Sequence, residues 1–92
     1  MYIRGNRIKR IDSLSVAITE TVYNTAPGNT VYIHNTGTTK VCFSTTTGVT
    51  LANGFELAAG EKMLLPIEIA SNLYLIATTT PSIVKFLVLD MI

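Results

Sequence analysis

Cysteine and histidine are the side chains with which a small protein most readily does covalent or metal chemistry, and this chain holds one of each, Cys42 and His34. A thiol within reach of an imidazole is a nucleophile beside its general base. The two lie in the stretch TVYIHNTGTTKVCFS, in which Val31 and Ile33 alternate with Tyr32 and His34, and Val41 and Phe43 flank Cys42. Read as a hairpin closed by NTGTT, that stretch sets Tyr32 opposite Cys42 and puts His34 on the same face, diagonal to the thiol. Catalysis also needs a group to orient the histidine and donors for an oxyanion, and no Asn or Asp is patterned to that face. The expectation is therefore a buried structural thiol near an ordinary surface histidine, and no enzyme.

The remaining reactive groups support no other chemistry. Glu56, Glu61 and Glu68 fall in different turns and strands, which does not suit the paired carboxylates of a glycosidase. The turns with Asn or Asp offer too few oxygens for calcium, and no glycine-rich loop precedes a helix to hold a phosphate. One histidine and one cysteine make a poor metal set, so no cofactor is expected. The threonine clusters TGTT, STTT and ATTT have no constant period and read as β-propensity on exposed faces.

What positions these residues is a chain of 92 residues, 48% hydrophobic and only 14% charged. It is one domain, and one so short buries a modest core. With a single cysteine it has no internal disulfide to staple it, which leaves partner contacts as the expected support. No run of eighteen or more apolar residues is present to span a membrane. MYIRGNRIKR lacks the apolar core and cleavage site of a secretory signal, so no export is expected. Arg4, Arg7, Lys9 and Arg10 give those ten residues four cations, while the remainder holds Lys40, Lys62, Lys85 and six carboxylates. A basic arm over residues 1–12 on a sandwich domain over residues 13–92 is the expected organisation. Four cations without interleaved aromatic residues make nucleic acid an unlikely partner.

Helical periodicity is nearly absent, and segments rich in Val, Ile, Thr, Tyr and Phe alternate with turn residues. Ser13 to Tyr23 reads as one strand, with Leu14, Val16, Ile18 and Val22 on one face. Pro27-Gly28 suggests a type II corner with the glycine at positive φ. Asn53-Gly54 predicts a hairpin between Val49–Leu51 and Phe55–Leu57, and Ala59-Gly60 a further turn. Met63, Leu65, Ile67 and Ile69 share a face, and Pro66 points to an edge strand or bulge. Asn72–Thr78 and Ile83–Ile92 complete about eight strands, which suits an all-β antiparallel sandwich of jelly-roll type.

The last strand is apolar on both faces, with Ile83, Leu87, Leu89 and Met91 on one and Val84, Phe86, Val88 and Ile92 on the other. Either a partner covers the second face, or this is a central strand capped by the basic arm. The candidate interface residues are therefore Arg4, Arg7, Lys9 and Arg10 of the arm with Ile83, Phe86, Leu87, Leu89 and Met91 of the strand. Self-association, as a trimer, would use the strand.

Three segments carry a resemblance: Asn35 to Gly37, Gly54 to Glu61 (GFELAAGE) and Leu73 to Ala77 (LYLIA) before a Thr-rich turn. Over residues 30–89 the pattern resembles small decoration or cement proteins of tailed-bacteriophage capsids. That resemblance implies a non-enzymatic virion component, made in the host cytoplasm, that braces the outer shell by binding the major capsid protein or another virion protein. The same pattern is similar to modules of phage fibres and head appendages; the alternatives are a glycan-binding module, for which Tyr32 and Tyr74 are the residues to test, and a tail or connector protein.

Overall fold

The computed structural model describes residues 6–26, 28–67 and 71–91, and their side chains except those of residues 6, 7 and 91. Within them lie eight strands and no helix: β1 (Asn6–Val16), β2 (Thr21–Asn24), β3 (Thr30–Asn35), β4 (Val41–Ser44), β5 (Phe55–Leu57), β6 (Lys62–Pro66), β7 (Asn72–Ala77) and β8 (Ser82–Met91). Every pairing is antiparallel. Sheet A has the order β1-β8-β3-β6 and sheet B the order β2-β7-β4-β5. The alternation that marks these segments as strands also places their apolar residues on one face each. Val16, Val31, Ile33, Val84, Phe86 and Val88 of sheet A meet Tyr23, Val41, Phe43, Leu57, Leu73 and Leu75 of sheet B in one core. The result is a sandwich-like pair of layers. Across it Tyr23 stacks on Phe86, their ring centroids 3.8 Å apart and nearly parallel.

Several sequence expectations are corrected here. The strand expected from Ser13 to Tyr23 is two strands in two sheets, because residues 17–20 turn the chain across the sandwich. Thr21 Oγ1 holds that turn by accepting from the Ala17 amide and donating to the Thr19 carbonyl. The hairpin of Val31–Ile33 with Val41–Phe43 is likewise absent. β3 pairs with β6 and β8, and β4 with β5 and β7, so NTGTT crosses between layers. Asn35 is the reason the crossing is tight. Its buried amide donates to the carbonyls of Thr39 and Leu57 and accepts from the Gly37 amide and the Ser82 hydroxyl. Such a satisfied buried amide fixes three segments at once.

Residues 6–12 of the expected arm belong to β1, which runs alongside β8 from Asn6↔Met91 to Val16↔Ser82. β8 is thus a central strand, as one of the two readings held, but β1 flanks it edge to edge instead of capping its face. A register shift between Ile8 and Arg10 lets Lys9 reach Asp90 at 3.9 Å. Residues 1–5, with Arg4, lie outside the described residues. Asn53-Gly54 does not join Val49–Leu51 to Phe55–Leu57; β5 pairs with β4. Gly28 and Gly54 are not at positive φ, unlike Gly48 and Gly60. Their lack of a side chain serves close approach: a Cβ on Gly28 would stand 2.5 Å from the Leu89 carbonyl oxygen, and one on Gly54 2.7 Å from the Cβ of Cys42. Pro66 sits in β6, an edge strand, where a missing N–H costs nothing.

Candidate interaction surface

Cys42 and His34 are on different sheets. His34 points outward from sheet A and is half-buried, while Cys42, between the core-facing Val41 and Phe43, points outward from sheet B. The whole sandwich lies between them, so the diagonal pairing expected from the hairpin is lost with it. Residues 45–54 fold over Cys42 and bury it completely. Burial pushes its thiol pKa up, the reverse of what a nucleophile needs. Glu20 fastens that cover by accepting from the amides of Gly48 (2.6 Å) and Val49 (3.0 Å) and from the Thr47 hydroxyl (3.0 Å). These bonds, the Gly48 amide first, hold its carboxyl below the usual glutamate range.

At the β1/β2 edge, Tyr23 donates to Asp12 Oδ2 at 2.6 Å, and the Arg10 guanidinium lies 5.1 Å from the Tyr23 ring centroid. Arg10 also donates to the Asn24 carbonyl, and its Nε sits 2.6 Å from Asp12 Oδ2 as an ion pair without hydrogen-bond alignment. Burial, with the bond to Asp12, pushes the Tyr23 phenol up to about 12. The cluster seals the seam between the sheets. Arg10 is thereby engaged within the chain, as is Lys9 with Asp90. The backbone of Arg7 pairs with Asp90 and that of Met91 with Asn6; their side chains lie outside the description, as does all of Arg4.

The outer face of sheet A gathers what the scattered apolar residues had not suggested. Because register fixes which side chains stand abreast, rows can be read across its four strands. One row is Ile11–Leu87–Tyr32–Leu64, apolar from edge to edge. Beside it runs Ile8–Leu89–Thr30–Pro66. On the other side comes Ser13–Lys85–His34–Lys62. Ile8 is 62% exposed, Ile11 69% and Leu64 49%. Ile83, at 42%, extends the face beyond the lysines.

Of the expected interface residues, Ile83, Leu87 and Leu89 stand on this face. Phe86 does not: it is 1% exposed, and its ring is spent on the core against Tyr23. Sequence reading missed Ile8, Ile11, Leu64 and the lysine row. Ile8 and Ile11 are three apart, a spacing that conceals a shared strand face until the register shift is known. Leu64 falls on the face of β6 opposite Met63 and Leu65, the one it shares with Lys62, which reads as solvated until β3 and β8 are placed beside it. An open cleft of about 580 Å³ lies near β7, lined by Thr45, Ile67, Ser71, Asn72 and Tyr74 together with Pro66 from the end of that face. Among the described residues no group of His, Cys, Asp and Glu is arranged to hold a metal ion. The chain matches no family model, no curated protein and no solved structure.

Proposed function

We propose that this protein is a non-enzymatic structural component of a bacteriophage virion, a decoration or cement protein that binds the outer surface of the capsid. The observation that carries the binding role is the largely apolar outer face of sheet A, on which Ile8, Ile11, Leu64 and Ile83 are exposed in a domain with little charge to spare. Faces of that kind on small domains are kept for partners. The turn and core segments that resemble decoration proteins supply the virion, and with it the major capsid protein or a neighbouring virion protein as partner. The strand pairing agrees with this reading: β1 pairs with β8, β2 with β7, β3 with β6 and β4 with β5, in alternate sheets, the pattern a jelly roll would have, and we read the sandwich as one. Copies of the chain, as trimers, would occupy neighbouring symmetry positions on the shell. Binding only the assembled lattice, they stabilise it by mass action, and many weak contacts add through avidity.

The test uses phage heads made from a genome lacking this gene. They are expected to rupture earlier on heating, and added protein to bind them and restore the wild-type profile. Unaltered rupture together with absent binding would refute the reading. A second reading, a fibre, tail or connector module that binds glycan, is favoured by the cleft beside Tyr74 and Asn72. A glycan-array signal lost in Tyr74→Ala would select it.

A further inference from the structure

Three rows of the sheet A face follow one another along the strands: Ile8–Leu89–Thr30–Pro66, then Ile11–Leu87–Tyr32–Leu64, then Ser13–Lys85–His34–Lys62. The face is therefore apolar at one end and cationic at the other. No carboxylate stands on it among the described residues. Each described carboxylate is engaged elsewhere: Asp12 with Tyr23 and Arg10, Glu20 with the Thr47 hydroxyl and the Gly48 and Val49 amides, Glu56 with Lys40, Glu61 with the Ala58 amide, and Asp90 with Lys9. A second copy of the chain, laid on this face, has nothing described to offer Lys62 and Lys85. Face to face, the described residues of two copies would set Lys62 and Lys85 against lysine and apolar side chains, which costs desolvation without a described opposite charge.

We infer that the outer face of sheet A docks a foreign protein element that presents two apolar positions followed by an acidic one, its carboxylates meeting Lys62 and Lys85. Rows lie about 6.6 Å apart along a strand, close to the roughly 6 Å rise of four helical residues. An amphipathic helix with leucine at i and i+4 and glutamate at i+8 therefore matches the three rows. The contact is small. Four strands by three rows give on the order of 400 Å², about half of what a standard stable interface takes from each side. Individual contacts are weak, and many copies are needed to hold.

This inference rests on the binding role proposed above and specifies its chemistry. The probes are two synthetic helical peptides with that leucine spacing, one carrying glutamate and the other lysine at the third position, titrated against isotope-labelled protein. The glutamate peptide is expected to shift the amides of Tyr32, His34, Lys62, Lys85 and Leu87. Lys62→Glu with Lys85→Glu is expected to weaken it about tenfold and to admit the lysine peptide in its place. That charge reversal reads binding on a folded variant, so misfolding cannot mimic it. Equal binding of both peptides, or shifts confined to other residues, overturns the inference. So does dimerisation abolished by Leu87→Lys, which would make the occupant a second copy. So does binding of oligothymidylate lost in the lysine variants, which would make it nucleic acid. Failure of the head-binding test with success here removes the virion alone; the opposite pattern removes the acidic partner alone.

Discussion

Glu20 does at one residue what a disulfide often does in small proteins: it ties a loop to a distant turn of the chain, adding to the loop's own bonds at Thr50 and Asn53 and to the buried Val49. Its carboxyl pKa is lowered in the folded protein by the Gly48 amide, so the anion is the form that stabilises. That contribution is present above the ordinary glutamate range and is lost as pH falls through the lowered folded value. Amide exchange at Gly48 and Val49 is expected to quicken over that acid window, and Glu20→Gln to speed thiol-reagent labelling of Cys42 at neutral pH. Labelling that stays equally slow would show the cover to be held by something else. Tyr23 behaves in the opposite sense. Its pKa is raised to about 12 from 10.0, so the neutral phenol stabilises, fully below the ordinary value and less as pH rises through the folded one. Alkaline unfolding of wild type is expected to steepen between those values, and Tyr23→Phe to lack that step. Phe86→Ala, which leaves the Tyr23 ring without its stacking partner, is expected to cost about 3–5 kcal/mol in denaturant unfolding.

Among the elements, β1 shows most plainly what composition hides. Four cations in residues 1–10, three of them in β1, suggest an arm when charge density is read without register. Yet Lys9 and Arg10 find Asp90 and Asp12, and the backbone from Asn6 to Val16 supplies the ladder that one side of β8 requires. Deleting residues 1–10 is therefore expected to lower stability measurably, whereas Leu64→Lys on the exposed side of β6 is expected to shift it by less than about 0.5 kcal/mol. Circular dichroism melts separate the two. The alternation of β3, β7 and β8 was legible, as were the edge position of Pro66 and the turn at Gly60, since each is a local signal. Strand pairing was not. Asn35, which closes the β3 crossover, looks like a hairpin turn residue until its bonds to Leu57 and Ser82, far along the chain, are known. The surface was half legible: Ile83, Leu87 and Leu89 by period, but not the isoleucines of β1, which only register brings abreast.

At the scale of the whole molecule, an apolar and cationic face on one layer contrasts with the other layer, which keeps residues 45–54 over its own outer side. If the uncovered face belongs to a foreign partner, the mass of the free protein does not depend on it. Light scattering is expected to give wild type and Leu87→Lys the same mass across a concentration series. A lower mass for the variant would place copies of the chain face to face. The nested pairing of strands also has a consequence for synthesis. β4 and β5 are neighbours in sequence and meet early, but β8, the strand on which both β1 and β3 depend, leaves the ribosome after the other seven. Until it arrives, sheet A has no middle: β1 has no neighbour in that sheet, and β3 has only its ladder with β6. Such distant pairing closes slowly. A released chain ending at residue 81 should be digested readily by protease and attract chaperones, and restoring residues 82–91 should protect it.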